Sequence, residues 1–422
     1  MKKIKLILTV FAISLIFMLS SCVYYGQTGN NTNNNNNTNN NNNNQTNEVT
    51  NKITNEITNK VVNVEEITIT DINDALVTSI EKVEQAVIGV NLKLKTTVSN
   101  GTTSEDVLQS GSGVIYKVEE VKNESGIITN FKYYVITNRH VVLPDQPADT
   151  QLYAYLGYDD IEIRANLLGY DEKVDIAAFT FEHTKYIQPV EFADSKSLKK
   201  GMLVYAIGNP YGFDYYGSAT MGIISNIERF VSTDTDNDGV TDFYCEYIQH
   251  DASINSGNSG GGLFTLDGKL IGINTLKIVA ANIENMGFAI PSNTVKTLVF
   301  DFIEKGKEII RPKLGVTIMN VRDMTPAVIE YNQLLPVPEI YNGERPYGFY
   351  VTNITTGSTM DGSGVEISDI ILQIGDIKLT ELYVLSAKLN SLVDYKVGDE
   401  VEIIYYDRSE EQIKTVKVIL KK

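Results

Sequence analysis

The chain lacks several residue types on which common classes of site depend. It has no tryptophan, three histidines and only two cysteines, Cys22 and Cys245, in 422 residues. Cys22 is expected to be lipidated, as described below, so no internal disulfide and no cysteine-based metal site is expected. Basic residues are also scarce, because 36 Lys and Arg face 53 Asp and Glu, for a formal net charge of -17. A nucleic-acid partner is not expected, since phosphate neutralisation needs clustered basic charge.

The first 21 residues have the pattern of an export signal. Three lysines precede a mostly apolar run of 14 residues, 6–19, which is too short for an ordinary membrane span. The following Ser20-Ser21-Cys22 resembles the lipobox of bacterial lipoproteins, in which the cysteine is lipidated and becomes the new N-terminus. We therefore predict a lipoprotein signal peptide over 1–21 and a protein anchored by Cys22 to the extracytoplasmic face of the cell membrane. A simple secretory signal and a short uncleaved anchor remain the alternatives.

The rest of the chain divides by composition into a linker and two folded domains. Residues 22–64 are rich in asparagine, and such polar, repetitive sequence cannot bury enough apolar area to fold. Over 65–306, short β-rich runs alternate with Gly, Asn and Asp, which is typical of antiparallel barrels or sandwiches. A final unit over 307–422 combines strands, turns and a helix. The sequence therefore predicts a mostly β protein.

Ser259 is the first candidate for chemistry, in the stretch "HDASINSGNSGGGLF". A serine is a poor nucleophile unless a base removes its proton and donors receive the oxyanion that forms. Glycines permit backbone angles that would let the amides of Gly257 and Ser259 point at one spot. The alternative interpretation of the motif alone is a plain glycine-rich turn.

The base for this serine must be one of three histidines. His140 follows a β-rich run in "YYVITNRHVV", where a strand end would hold it firmly yet exposed. His183 lies in a polar stretch, interpreted as a loop, and His250 stands only nine residues before Ser259. We therefore predict that His140 is the base.

The acid that orients an imidazole base must be a carboxylate beside it. Asp175 opens a strongly apolar run, where a carboxylate is costly unless it is paired. Asp171 and Asp194 lie in more polar stretches and fit less well. The chain order His140, Asp175, Ser259 is that of the chymotrypsin class.

Several motifs, in order, resemble the HtrA (Deg) family of trypsin-like serine proteases over about residues 75–422. They are "TNRHVV", "DIAAF", "AIGNPYG", "INSGNSGGGLF", "GKLIGINT" and "MGFAIPSN". The resemblance implies a chymotrypsin-like pair of six-stranded β-barrels, with His140 as general base, Asp175 as its partner and Ser259 as nucleophile. It also implies an oxyanion hole at Gly257, Asn258 and Ser259. The chain departs from the family pattern at three positions near this turn: His250, Ser256 and Gly262.

The primary specificity pocket is predicted from spacing to the nucleophile. In this protease class the residue six positions before the nucleophile lies at the base of the pocket, and here it is Ser253, with Ile254 beside it. An acidic base is needed to favour Lys or Arg, and both residues are uncharged. We therefore expect cleavage after small or medium aliphatic residues.

The last domain, 307–422, resembles a PDZ domain, an α+β fold. The stretch "RPKLGVTI" matches its carboxylate-binding loop at Lys313, Leu314, Gly315 and Val316. Such domains add a peptide strand to a sheet edge and bind its C-terminal carboxylate through backbone amides. A segment at about 323–346 interrupts the pattern as an insertion, so the resemblance leaves the ligand preference open.

An acidic stretch within the protease domain admits two interpretations. Its aspartates, spaced as at the start of a calcium loop, are Asp234, Asp236, Asp238 and Asp242. Position 12 of such a loop would be Cys245, however, so a plain acidic hairpin with its turn at Asp238-Gly239 is the alternative. The implied catalysis requires no cofactor, and calcium would be structural.

Together these patterns predict a membrane-tethered serine endopeptidase for unfolded or damaged extracytoplasmic proteins. Peptide C-termini are the expected ligands of the last domain, and the family resemblance implies a homo-oligomer, typically a trimer. A catalytically weak chaperone or holdase is the first alternative. A non-enzymatic surface-binding lipoprotein is the second, and the complete set of His140, Asp175 and Ser259 argues against it.

Overall fold

The computed structural model describes residues 68–97, 103–142, 149–210, 213–233, 241, 243–275, 285–337 and 347–422. The predictions for the signal peptide, for Cys22, for the asparagine-rich segment and for the four aspartates of the acidic stretch lie outside these residues. Residues from Ile69 to Lys422 form one compact unit. In the part of the chain that the structure describes, no helix has both the length and the apolar character needed to span a membrane.

A first β-barrel follows the N-terminal helix. Helix α1 spans Ile69–Val83 and the short helix α2 spans Arg139–Val142. The strands are β1 (Val87–Thr97), β2 (Thr103–Lys122), β3 (Ile128–Asn138), β4 (Thr150–Leu156), β5 (Ile161–Arg164), β6 (Asn166–Asp171) and β7 (Ile176–His183). They pair in the order β5-β4-β1-β2-β3-β7-β6. Ala165 alone separates β5 from β6, and its amide donates to the carbonyl of Leu152, so these two are one interrupted strand of a six-stranded barrel.

A second barrel is built from six antiparallel strands and one short addition. Its strands are β8 (Glu191–Phe192), β9 (Leu203–Gly208), β10 (Ser218–Thr233), β11 (Phe243–His250), β12 (Gly262–Thr265), β13 (Lys269–Thr275) and β14 (Gly287–Pro291). The order is β12-β9-β10-β11-β14-β13-β8, and β12 also pairs with β13, which closes the ring. Helix α3, Ser292–Asp301, follows directly. The predicted pair of six-stranded barrels is confirmed.

The C-terminal part is an α+β domain with its own core. It contains β15 (Val316–Asn320), β16 (Phe349–Ile354), β17 (Ile370–Ile374), β18 (Ile377–Lys378), β19 (Glu400–Asp407), β20 (Gln412–Ile419), and the helices α4 (Pro326–Tyr331) and α5 (Leu382–Ser391). The sheet order is β15-β16-β17-β19-β20, so β15 lies at an edge. Short 3-10 turns occur at Glu84–Ala86, Ser195–Ser197, Phe213–Tyr215, Ile303–Lys305 and Val321–Asp323.

One apolar core joins the two barrels. Phe179 and Phe181 of the first barrel belong to the same buried cluster as Tyr205 and Phe264 of the second. Burying large aromatic side chains removes extensive apolar area from water, which is the main driving force for holding the two barrels together. Residues at the junction of the barrels are thereby held in fixed relative positions.

Candidate active site

His140 and Asp175 meet at the end of the first barrel. Strands β3 and β7 pair with Asn138 opposite Ile176, which places α2 beside the residue before β7. His140 Nδ1 lies 2.7 Å from Asp175 Oδ2, and the His140 backbone N–H donates to Oδ1 at 2.9 Å. A buried carboxylate that binds both the ring and the backbone of one residue fixes the orientation of that imidazole.

The backbone of Asp175 adopts an uncommon conformation, and hydrogen bonds from neighbouring residues stabilise it. Its φ of 62° is in the left-handed region, which Asp tolerates better than most residues. The Asp175 carbonyl accepts hydrogen bonds from Arg139 N at 3.1 Å and from Asn138 Nδ2 at 3.0 Å. These bonds join the residue before β7 to the segment that carries His140, so the two side chains are positioned as one unit.

Ser259 lies in the turn between β11 and β12, and the residue is buried. Its carbonyl accepts a hydrogen bond from Ser112 N in the first barrel at 2.8 Å. The next residue, Gly260, has a φ of 85°, and a Cβ there would lie 2.1 Å from the Ser112 carbonyl oxygen. Only glycine fits this close approach, which explains the glycine after the serine in the sequence motif.

The structure brings the turn and the His–Asp pair together at the junction of the barrels. A Cβ on Gly111 would contact both the Val141 side chain, at 2.7 Å, and the Ser259 carbonyl oxygen, at 3.1 Å. Val141 is the neighbour of His140 in the chain, so Gly111 lies between the segment that carries His140 and the turn that carries Ser259. In the second barrel, Thr275 at the end of β13 donates a hydrogen bond from Oγ1 to Asp175 Oδ2 at 3.5 Å.

The other two histidines have different environments. His250 is fully buried in the second barrel, and this burial lowers its pKa to about 4, so its ring is neutral near pH 7. The interpretation of His183 as part of a loop is wrong, because β7 continues through it opposite Phe131. Its Nε2 lies 3.7 Å from a carboxylate oxygen of Asp159. His140 is the histidine that pairs with Asp175.

The residues predicted to form the oxyanion hole and the specificity pocket lie in the segment between β11 and β12, which also contains Ser259. Gly257 has a φ of 99°, and Asn258 N donates to the Asn255 carbonyl at 2.9 Å, which closes the turn before Ser259. Ser253 is exposed, and its carbonyl accepts a hydrogen bond from Thr220 Oγ1 at 2.7 Å. Ile254 is partly buried against the core of the second barrel.

The predicted carboxylate-binding loop precedes the edge strand β15. The carbonyls of Leu314 and Gly315 accept hydrogen bonds from Met360 N at 3.1 Å and Thr355 N at 2.8 Å. Gly315 has a φ of 72°, and a Cβ there would meet the side chain of Ser358 at 2.1 Å. The loop is thus held against the following segment, and within the described residues β15 lies at an edge of the sheet.

Sequence reasoning missed polar residues that act across the barrels. Ser112 is fully buried in β2, and its Oγ donates to the Gly257 carbonyl at 2.7 Å. The signal in the sequence is a serine between two glycines just before an apolar run, but this local pattern does not indicate its partner in a turn about 145 residues away. Within the described residues, no group of three or more His, Cys, Asp or Glu side chains is arranged to hold a metal ion.

Comparisons with known proteins give a consistent result. A family model for the trypsin-like peptidase domain matches residues 111–273. The chain is 34% identical over 347 residues to a serine protease Do-like HtrA of Bacillus subtilis, covering 80% of this chain and 71% of the relative. It is 34% identical over 290 residues to a probable periplasmic serine endoprotease DegP-like of Rickettsia conorii, covering 68% of this chain and 51% of the relative. The HtrA-type protease AlgW with a decapeptide shares the fold, with a TM-score of 0.56, 24% identity and coverage of 82% of this chain and 98% of that structure.

Proposed function

The chain belongs to the HtrA family of trypsin-like serine proteases, and on this premise we propose that it degrades unfolded or damaged proteins outside the cytoplasm. His140 is the general base, Asp175 its orienting partner and Ser259 the nucleophile. The observation that carries this proposal is the pairing of the Asp175 carboxylate with both Nδ1 and the backbone N–H of His140. Labelling by an active-site fluorophosphonate that is lost in Ser259→Ala tests it.

The chemistry follows from the tautomer that Asp175 selects. The carboxylate beside Nδ1 keeps the proton on that nitrogen and leaves Nε2 to accept the proton of Ser259 as the hydroxyl attacks a peptide carbonyl. The imidazolium that forms is stabilised by the Asp175 charge, and it later protonates the leaving amine. The amides of Gly257 and Ser259 receive the negative oxygen of the tetrahedral intermediate.

We predict cleavage after Val, Ala or Ile, because neither Ser253 nor Ile254 brings a negative charge to the pocket. Mass spectrometry of casein digests is the measurement, and Ser253→Asp is the matched variant, since an acidic base should shift cleavage toward Lys and Arg. Wild-type digests dominated by cuts after Lys or Arg would contradict the pocket assignment.

The C-terminal domain is proposed to be a PDZ module that binds peptide C-termini. Two features support this: the turn at Lys313–Val316 is braced by internal hydrogen bonds, and β15 after it is an edge strand. A peptide strand added at that edge would bring its carboxylate to the loop amides. We also propose that the protein forms a homotrimer, as the family resemblance implies.

The membrane anchor is the remaining part of the proposal. The Rickettsia conorii relative is named a probable periplasmic serine endoprotease, which supports an extracytoplasmic location for this protein. Lipidation of Cys22 with several acyl chains would give stable anchoring, whereas one chain alone binds reversibly.

Cys22→Ser is expected to move the protein from the membrane fraction to the soluble fraction, or to block its processing, because no lipid can then be attached. Fractionation and labelling with radioactive palmitate are the measurements. Cys245→Ser is the control and should keep both the label and the membrane association. Equal membrane retention of the Cys22→Ser variant and an absence of label in the wild type would favour an uncleaved helix instead.

A further inference from the structure

Ser112 is the point at which the first barrel is bound to the nucleophile turn of the second. Its backbone N–H donates to the Ser259 carbonyl at 2.8 Å. Its Oγ donates to the Gly257 carbonyl at 2.7 Å. One buried residue therefore holds the carbonyls of Gly257 and Ser259, the same two residues whose amides are assigned to the oxyanion hole.

The Ser112 hydroxyl is fully engaged, as one donor and two acceptor positions allow. Besides donating to Gly257, it accepts hydrogen bonds from Asn209 N at 2.8 Å and from Asn209 Nδ2 at 3.2 Å. Asn209 in turn accepts a hydrogen bond from Gly217 N at 3.0 Å through its Oδ1. The hydroxyl is thus the centre of a buried network that joins β2, the end of β9 and the nucleophile turn.

We propose that Ser112 is a positioning residue for catalysis, which keeps the Gly257–Ser259 turn in the conformation that stabilises the oxyanion. This inference rests on the proposed function. Oxyanion donors are effective only when they are aimed in advance at the developing charge. With the Ser112 hydroxyl removed, the buried Gly257 carbonyl loses its partner, and the backbone of Gly257 and Asn258 readjusts to reach another donor. Because the dihedral angles of these two residues also set the directions of the Gly257 and Ser259 N–H groups, the two amides turn away from the reacting carbonyl.

A further hydrogen bond, to the main chain of Ser112, supports this assignment. The Ser112 carbonyl accepts a hydrogen bond from Thr137 Oγ1 at 2.7 Å, and Thr137 lies three residues before His140 on β3. The strand that leads to the base and the turn that carries the nucleophile therefore share one buried residue. Ser112 sets the position of the oxyanion turn relative to His140 without touching the substrate.

Steady-state kinetics of Ser112→Ala on a chromogenic peptide tests the proposal. Because direct loss of one oxyanion donor lowers kcat by about 10²–10³-fold, we expect this indirect loss to lower kcat by about 10–100-fold, with KM changed by less than about twofold. Inhibition by a peptide aldehyde, whose adduct occupies the oxyanion hole, should weaken by a similar factor. Ser110→Ala, two residues earlier on β2 and paired with Asn91, is the matched control.

A second variant keeps the test decisive if Ser112→Ala does not fold. Ser112→Cys retains a weak donor of similar shape, so kcat and aldehyde affinity should lie between those of the wild type and the alanine variant. Wild-type kcat and aldehyde affinity in a folded Ser112→Ala or Ser112→Cys would overturn the positioning role and leave the proposed function standing. A wild type that neither hydrolyses peptides nor reacts with fluorophosphonate would instead refute the proposed function and this inference with it.

Discussion

Ser259→Ala is expected to lower kcat for hydrolysis of casein by about 10⁴–10⁶-fold while the protein stays folded. The alanine variant retains the binding surface and the oxyanion amides, but it has no oxygen to attack the peptide carbonyl. The residual rate therefore reports only transition-state stabilisation by the remaining groups. Casein hydrolysis, fluorophosphonate labelling and circular dichroism on the same preparation separate loss of chemistry from loss of fold.

His140→Ala should cost a similar factor, and the double variant with Ser259→Ala should be no slower than either single one. The losses do not add, because the base has no role without the nucleophile that it activates. His183→Ala is the matched control, since His183 ends β7 away from the Asp175 carboxylate, and it should keep wild-type activity. Full activity in Ser259→Ala would refute the assignment. Casein binding without turnover in the wild type would favour the holdase alternative.

The sequence predicted those features that local patterns encode. The glycines on both sides of Ser259 are needed for the backbone geometry of the turn, and the residues after Asp175 are apolar because that strand is buried. Both patterns can be recognised from the sequence without a structure. The pairing of His140 with Asp175 was predicted because each carries a recognisable local context. The short β-rich runs indicated antiparallel barrels or sandwiches, and the family resemblance implied two barrels, whereas the break at Ala165 depends on a hydrogen bond to Leu152 that no local pattern reveals.

Contacts between residues far apart in the chain were not predictable from those patterns. Ser112 was unremarked in the sequence, since only the folded chain places its hydroxyl against a carbonyl in the other barrel. Asp171 lies in a polar stretch of the sequence, which makes it a weak candidate for the acid beside His140. In the folded chain the residue is nevertheless buried and accepts a hydrogen bond from Val174 N at 2.7 Å. Its charge is balanced by an arginine about 140 residues later.

The C-terminal domain also packs on the second barrel through helix α5. Lys388 of α5 forms ion pairs with Glu228 of β10, at 2.9 Å, and with Glu246 of β11, at 2.8 Å. Asn390 Nδ2 donates to the carbonyl of Tyr244 at 2.9 Å. Strand β11 runs on to the turn that holds Ser259, so the helix contacts the strand that leads to the proposed nucleophile.

Arg311 connects three parts of the molecule at this interface. It lies between the protease domain and the C-terminal domain, and its Nη2 donates to Asp171 Oδ1 at 2.9 Å. Its Nε donates to the carbonyl of Asn390, near the end of α5, at 3.0 Å. The two side chains of the ion pair are only 10% and 4% exposed, so the solvent screens the pair little. Asp171 also accepts a hydrogen bond from Val174 N in the turn before Asp175, which connects the interface to the proposed partner of His140.

Arg311→Met is expected to lower the free energy of unfolding by about 3–5 kcal/mol, because it leaves the buried Asp171 carboxylate without a counter-charge. Arg322→Met is the matched control: Arg322 pairs with Glu381 on the surface, where the side chains are 53% and 36% exposed, and its loss should cost less than about 1 kcal/mol. Adding Asp171→Asn to Arg311→Met should recover much of the loss, since no unpaired charge then remains. Denaturant unfolding of the wild type and of the three variants measures these costs. Equal costs for Arg311→Met and Arg322→Met would show that the Arg311 pair is not what holds the C-terminal domain against the protease domain.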